Sequence, residues 1–255
     1  MIYLPDKEIR VAYLYPDLMN LYGDRGNIIA LKQRSVWHGI DIRVDRIDIG
    51  QQFKAGDYDF LFIGGGQDRE QKKIAYDLVN VKAEAINQAF NDHCVILTIC
   101  GGYQLLGSYY EISDSERLPG LGIFPAWTKS GQQRLICNTV INTVFSGRER
   151  KLVGFVNHGG QTYLNEGAIP LGKVLAGEGN SLNVEHEGCI INCAYGTYLH
   201  GALLPKNPWF ADLLLQQALE HRGISWEIEE LDDQIEQKAH EDAVNLALRS
   251  SGKRS

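Results

Sequence analysis

The sequence has few of the features that mark nucleic-acid-binding, membrane-spanning and secreted proteins. It has 25 Lys and Arg against 32 Asp and Glu, and no basic cluster is longer than the two residues of Lys253-Arg254. The resulting net charge of −7 argues against nucleic acid or an anionic membrane as partner. No apolar run approaches the roughly 20 residues that span a bilayer, and no basic segment followed by an apolar one opens the chain. We expect a cytoplasmic protein without membrane insertion.

Cysteine is also scarce, and its number is odd. Three of the five cysteines lie in apolar, strand-like runs, which fits a reducing compartment. Because no second pair stands at zinc-finger spacing from Cys189 and Cys193, we expect no metal site. A Walker loop, a kinase-type glycine loop and an acidic cluster for Mg²⁺ phosphates are all missing, so we expect no ATP site in this chain. The cysteines are Cys94, Cys100, Cys137, Cys189 and Cys193.

The first half of the chain alternates predicted strands with predicted helices. This alternation favours parallel pairing with right-handed crossovers, hence an α/β fold with an open, mostly parallel sheet flanked by helices. Strands are predicted over residues 9–15, 40–47, 58–63 and 95–99, and helices from Gly26 or Asn27 to Gly39 and over residues 71–90.

The second half is richer in strands and continues the same core. A helix is predicted over residues 208–221, and residues 224–255 form a helical tail with a disordered basic end. We therefore expect one domain over residues 1–223 and a tail over 224–255. The predicted extended runs are residues 134–144, 152–157, 174–176, 181–184 and 188–199, with a hairpin turn at 186–188.

A strand, a tight turn and a helix are predicted around Cys100. The apolar residues 95–99 reach Cys100, Gly101 and Gly102 follow at once, and helical spacing then begins. Such a turn exposes its apex side chain beyond the carboxyl end of a buried strand and points backbone N–H groups at the same place. Cys100 is therefore a candidate nucleophile, although a buried structural cysteine fits the same pattern.

Three consecutive glycines, residues 64–66, follow another predicted strand. Neither G-x-G-x-x-G spacing nor a Walker lysine is present, so a phosphate-binding loop is disfavoured. Two interpretations remain open. The segment is either a plain strand-to-helix turn, or a lining of free backbone N–H groups for a site beside Cys100. We favour the lining, because the two turns follow strands that we expect to be neighbours.

His200 is the candidate partner of the thiol. It stands where a predicted strand ends and Gly201 turns the chain, and an imidazole that accepts the thiol proton is the minimum that such a nucleophile needs. His158 is a rival base. The other histidines lie in helical or polar contexts and are expected to be solvated: His38, His93, His186, His221 and His240.

Four segments together resemble the class I (triad-type) glutamine amidotransferases, in the branch shared with cobyric acid synthase. They are residues 62–68, 98–104, 154–158 and 196–201, and the resemblance extends over about residues 9–222. Residues 15–27 and 65–71 further resemble the glutaminase subunits of lipid II isoglutaminyl synthases.

The resemblance implies a flavodoxin-like fold and a thiol that attacks L-glutamine. Two positions depart from the pattern: Ala202 replaces the usual glutamate after the histidine, and Thr98 replaces the leading glycine of the turn. A Cys–His dyad, or an orienting group from elsewhere, is then expected. The implied site comprises the catalytic Cys100 and His200, the oxyanion donors Gly65, Gly66 and Gly101, and the substrate-binding Arg134, Gln104, Asn157 and His158.

By the same resemblance, the chain pairs with a Mur ligase-like synthetase and supplies ammonia for amidation of the D-glutamate of the lipid II stem peptide. ATP and Mg²⁺ are expected on that partner, and no cofactor on this chain. The alternatives are service to a cobyric acid-type or other ligase, and a non-catalytic binding module. We expect the partner to dock on Tyr22, residues 24–27 and residues 68–70, since loops at the carboxyl edge of open α/β sheets gather ligands.

Overall fold

The structure is a computed structural model that describes residues 7–251. The basic end predicted at Lys253-Arg254 lies outside the described residues. No helix within residues 7–251 is both long enough and apolar enough to cross a bilayer.

The central sheet has six strands in the order β11-β12-β4-β3-β1-β2, and only the edge strand β11 runs antiparallel to its neighbour. Its inner strands β3 and β4 are buried along their whole length, as their unbroken apolar sequences require when helices cover both faces. The predicted α/β class is confirmed. The strands are β1 Glu8–Leu14, β2 Asp41–Ile47, β3 Phe60–Ile63, β4 Val95–Ile99, β11 Cys189–Ile191 and β12 Ala194–Thr197.

The helices lie close to where the sequence predicts them, with two differences. Residues 224–233 of the predicted helical tail form no helix, so the last helix begins only at Gln234. The helix predicted over residues 71–90 is divided by a π-helical turn, Leu78–Lys82. The turn buries the Lys82 ammonium, which donates to the Asp77 carboxylate and to the Asp48 carbonyl. The helices are α1 Arg25–Trp37, α2 Asp68–Asp77, α3 Ala83–Asn91, α4 Gly101–Leu106, α5 Leu203–Lys206, α6 Pro208–His221 and α7 Gln234–Ser251.

A second six-stranded sheet is built on the long hairpin β7–β8. The register of this hairpin shifts between Ser130 and Leu135, so Arg134 lies in an irregular segment rather than in a regular ladder. The strands are β5 Tyr109–Ser113, β6 Glu116–Pro119, β7 Ala126–Phe145, β8 Arg148–Leu164, β9 Gly172–Ala176 and β10 His186–Glu187.

The segment before β11 differs from the prediction. Residues 181–184 form no strand, and His186–Glu187 is a two-residue strand paired with β9 rather than a hairpin turn. Asn180 explains the difference, because its carboxamide accepts from Gly188 N–H at 2.7 Å and donates to Gly188 O at 3.0 Å. A buried side chain thus closes this loop where the sequence pattern indicates backbone pairing.

Side chains of both sheets belong to one continuous core, with Phe62 and Leu97 from the central sheet and Ile141 and Leu152 from the second. A smaller cluster lies where α7 packs on the second sheet, and it contains Val140, Val153, Ala176, Val244 and Ala247.

Candidate active site

Cys100 stands at the apex between β4 and α4 with a φ of 49° and a ψ of −103°. A non-glycine residue adopts such a backbone only where its surroundings hold it there. Gly102 allows the turn to approach the neighbouring strand, because a Cβ at this position would lie 2.8 Å from the Ile63 carbonyl oxygen. The predicted strand, turn and helix are therefore present, with the thiol at the carboxyl end of the sheet.

His200 reaches the same edge because β12 pairs in parallel with β4, with Thr197 opposite Ile99. Its backbone is fixed to β8 by two hydrogen bonds: His200 N–H donates to Phe155 O at 2.8 Å, and Phe155 N–H donates to His200 O at 3.1 Å. The buried Glu187 holds the segment just before His200, since it accepts hydrogen bonds from Thr197 Oγ1 and Tyr198 N–H.

Asp24 is a site residue that the sequence interpretation missed. Its two carboxylate oxygens each lie 3.1 Å from His200 Nδ1, and one also accepts from Gly65 N–H at 2.7 Å. Because a carboxylate accepts, the proton is on Nδ1 and Nε2 is left for the neighbouring Cys100. No other group in residues 7–251 bonds Nε2. Asp24 therefore occupies the orienting role that Ala202 leaves open.

The prediction that residues 24–27 form an exposed docking loop is wrong in part. Asp24 is fully buried, and the buried Asn27 accepts a hydrogen bond from Leu204 N–H. Arg25 and Tyr22 are exposed, as are Asp68 and Arg69 in the second predicted loop. The position of Asp24, in the segment that follows strand β1 at the same sheet edge, is the sequence signal that could have identified it.

The charges around His200 oppose the effect of its burial. Burial alone lowers the pKa of His200, but the neighbouring Cys100 thiolate and the Asp24 carboxylate outweigh it and raise this pKa to about 10. His200 is therefore protonated at neutral pH. An imidazolium next to a cysteine can activate the thiol as a nucleophile and can also donate a proton to a leaving group.

The glycine turn at residues 64–66 lies against this pair. A Cβ on Gly65 would be 2.5 Å from His200 Cε1 and 3.4 Å from Cys100 Cβ, so only glycine fits. The Gly65 N–H is occupied by Asp24, and Gly66 N–H donates to no protein group within the described chain. Gly66 and the first helical residue, Gly101, thus have the amides free to hold an oxyanion.

His158 lies in the same region but in a different electrostatic environment. Its ring stacks on Tyr198 with 3.6 Å between centroids, and its Nδ1–H donates to Gly160 O at 2.6 Å. Burial lowers the pKa of His158 to about 4. The ring is therefore neutral at pH 7, and its buried Nε2 is an acceptor with no partner among residues 7–251.

Arg134 is linked to His200 through an aromatic contact. Its Nε donates to Asn157 Oδ1 at 2.5 Å, and its Nη2 donates to Tyr22 Oη at 3.1 Å. The Tyr22 ring in turn meets the His200 ring edge-on, with 5.1 Å between centroids. Arg134 Nη1 has no acceptor within the described residues, so it is free to bind an anion.

Gln104 belongs to a buried network rather than to an open surface. Its Oε1 accepts from Gln71 Nε2 at 2.9 Å, and its Nε2 donates to Tyr198 Oη at 3.0 Å. Both ends of this carboxamide are therefore occupied by the protein. Within residues 7–251, no group of three or more His, Cys, Asp or Glu residues is placed to hold a metal ion.

Comparison with known proteins points to one family. The profile of the CobB/CobQ-like glutamine amidotransferase domain matches residues 10–208. The lipid II isoglutaminyl synthase (glutamine-hydrolyzing) subunit GatD of Staphylococcus aureus (strain N315) is 40% identical over 97% of this chain and 99% of its own length. The subunit of the same name from Streptococcus pneumoniae (strain ATCC BAA-255 / R6) is 38% identical over 84% of this chain and 82% of its own.

Solved structures share the fold at low sequence identity. A glutamine amidotransferase from Thermotoga maritima superposes with a TM-score of 0.51 at 16% identity, covering 96% of this chain and 94% of its own. The glutaminase domain of Trypanosoma brucei CTPS with bound acivicin superposes with a TM-score of 0.52 at 10% identity, covering 87% of this chain and 96% of its own length.

Proposed function

We propose a function from one premise: the chain belongs to the CobB/CobQ-like glutamine amidotransferase family. As the glutaminase subunit of a lipid II isoglutaminyl synthase, it hydrolyses L-glutamine and passes the ammonia to a ligase. The observation that carries the chemistry is the alignment of Asp24, His200 and Cys100, in which a carboxylate orients a protonated imidazole beside a thiol.

The reaction follows from this alignment. The Cys100 thiolate attacks the side-chain carboxamide carbon of glutamine, and the Gly66 and Gly101 N–H groups hold the oxyanion of the tetrahedral intermediate. His200 Nε2–H then gives its proton to the departing nitrogen, so ammonia leaves and a glutamyl thioester remains. In the second half, the neutral His200 accepts a proton from water, which attacks the thioester and releases glutamate and the thiolate.

The other groups around the thiol suit the backbone end of glutamine. Arg134 offers a free Nη1 for the α-carboxylate, and its Nε and Nη2 donate to Asn157 and Tyr22, which fix the guanidinium plane. The unprotonated Nε2 of His158 is an acceptor suited to a substrate N–H. His158 is not the base in this mechanism, because a pKa lowered to about 4 leaves it a poor acceptor for the thiol proton.

The ammonia acceptor lies on a second protein. Both relatives described above are named as subunits of a glutamine-hydrolysing synthase, which supports an assembly with a Mur ligase-like synthetase. That partner would bring ATP and Mg²⁺ and amidate the D-glutamate of the lipid II stem peptide. The exposed Tyr22, Arg25 and Arg69 follow the same strands as Asp24 and Gly66 in sequence, and they form the docking surface we propose.

The test is release of glutamate and ammonia from free L-glutamine by the purified chain. Cys100→Ala is expected to lower kcat by about 10⁴-fold or more, because the nucleophile and its ion pair are lost together. Cys137→Ala, at a partly exposed cysteine on β7, is the matched control and should keep wild-type kcat. Activity that survives in a folded Cys100→Ala variant would contradict the proposal.

Partner assignment needs a separate measurement. The chain mixed with a Mur ligase-like synthetase, ATP, Mg²⁺ and lipid II is expected to transfer ammonia from glutamine, whereas the chain alone should form no amide. Amidation of a cobyric acid precursor instead would replace the lipid II assignment, and inactivity of the wild-type chain on glutamine in both settings would indicate a binding module.

A further inference from the structure

The turn that follows His200 is strained. Gly201 has a φ of 75°, and Ala202, which carries a Cβ, has a φ of 42°. Helix α1 packs directly on this turn, because a Cβ on Gly26 would lie 2.6 Å from Ala202 Cβ. A strained backbone next to a catalytic group persists only when neighbouring contacts hold it.

Lys206 is one of these contacts. Its side chain is half-buried, and its Nζ donates to Gly201 O at 2.9 Å, across the turn. Burial lowers the pKa of Lys206. Its amine closes a ring of six residues, 201–206, that begins immediately after His200.

Lys206 is in turn held by the C-terminal helix α7. His240 Nδ1 lies 2.8 Å from Lys206 O, and because a carbonyl only accepts, this nitrogen carries the proton. His240 is partly buried, so the expectation that it is solvated is wrong. The same expectation is wrong for His38, whose ring is buried against the Asp212 carboxylate.

Helix α7 is anchored independently of His240. Its Val244 and Ala247 are buried against Val140 and Val153 of the β7–β8 hairpin. Just before the helix, Asp233 forms an ion pair with the buried Arg34 of α1 at 2.7 Å. The helix is thus a fixed platform from which His240 reaches the segment behind the catalytic histidine.

We propose that α7 is a positioning element of the active site, in which His240 and Lys206 hold the Gly201–Ala202 turn so that the His200 imidazole faces Cys100 and Asp24. The proposal rests on the proposed catalytic role of His200. Neither His240 nor Lys206 touches the substrate in this account. The effect of losing either contact therefore falls on kcat rather than on KM, since the substrate-binding groups lie on β7 and β8.

The experiment compares two substitutions at one position. His240→Leu keeps the bulk and removes the N–H donor, whereas His240→Asn keeps an N–H at the place of Nδ1. We expect His240→Leu to lower kcat by about fivefold with KM unchanged, the size of effect for one lost hydrogen bond, and His240→Asn to restore most of it. Lys206→Met should act in the same direction, with partial rescue in Lys206→Arg.

Lys238→Met is the matched control, because this exposed lysine lies on the same helix and pairs with Asp242. Its kcat should equal that of the wild type. Unchanged kcat in both His240→Leu and Lys206→Met would overturn the proposal. So would equal losses in His240→Leu and His240→Asn, or a loss of activity in His240→Leu that is fully explained by the unfolded fraction in a thermal melt. Failure of the proposed function itself is recognised separately, by glutaminase activity in Cys100→Ala.

Discussion

Two buried histidines, one from each sheet, approach the same site with opposite properties. Burial lowers the pKa of both rings. At His200 the neighbouring Cys100 thiolate and Asp24 carboxylate reverse this effect and raise the pKa to about 10. At His158 burial is the largest effect, and the positive charges of His200 and Arg134 add to it, so the pKa falls to about 4. Both rings are buried, so the sign of the nearby charges separates a proton donor from a neutral acceptor.

The two sheets that carry these histidines differ in the same way. The carboxyl edge of the parallel sheet brings together the groups that we propose react, each beyond the end of a different strand. The long hairpin of the second sheet brings the groups suited to hold the substrate, namely Arg134, Asn157 and His158.

Removing each histidine in turn is the strongest test of this comparison. His200→Ala is expected to lower kcat by about 10³-fold or more, because both proton transfers are lost. His158→Ala should act mainly on KM, with a loss in kcat/KM of about tenfold, since one acceptor is lost. Steady-state glutaminase kinetics distinguish them, and a kcat loss of equal size in both variants would refute the assigned roles.

Removing the charge of Asp24 should make His200 more like His158. In Asp24→Asn the imidazolium loses a neighbouring anion, so we expect kcat to fall by about 10²-fold or more. The active ion pair requires a protonated His200 and is lost as pH rises through its pKa. The alkaline limb of kcat/KM should therefore lie near pH 10 in the wild type and at lower pH in the variant. An unshifted limb would mean that Asp24 does not set this pKa.

Changing the substrate-binding side alone should leave the chemistry intact. Arg134→Lys replaces a planar fork by a point charge, so KM for glutamine is expected to rise by about tenfold with kcat nearly unchanged. Arg148→Lys, at an exposed arginine of the same hairpin, is the control. A wild-type KM in Arg134→Lys would mean that this arginine is a surface residue that does not bind glutamine.

The smallest expected effect concerns Glu187, which supports the strand leading to His200. Burial raises the pKa of Glu187 to about 7, well above that of an unfolded glutamate. Its contribution to stability is therefore full below about pH 4.5 and is lost as pH rises through about 7. We therefore compare the Tm of Glu187→Gln with that of the wild type at two pH values. The difference should favour the variant by a few degrees more at pH 8 than at pH 5. Thermal melts at the two pH values measure this, and an identical difference at both would contradict it.

The parallel sheet and the nucleophile were predictable because their signals are local. The strand, turn and glycines around Cys100 occupy eight consecutive residues, 95–102, and helix α6 has the predicted bounds of Pro208–His221. Apolar runs of strand length and glycines at a turn follow directly from burial and backbone geometry.

Asp24 was not predictable in the same way, because its role depends on strand order. An aspartate in a polar loop is typical of an exposed surface, and only the adjacency of β1, β3 and β4 brings it beneath His200. The short strand β10 was missed for a related reason. Its geometry depends on the carboxamide of Asn180, a tertiary contact that no periodicity reveals.

The sequence separation of 176 residues between Asp24 and His200 has a consequence for the maturing protein. A chain emerging from the ribosome presents Cys100 long before His200 is made, and in that interval the thiol lacks the imidazole that we propose activates it. On this proposal, strong nucleophilicity arises only when Asp24, Cys100 and His200 have come together, and the incomplete chain should react more slowly with alkylating agents and oxidants. The rate at which iodoacetamide labels Cys100 would then report when these three residues come together during folding.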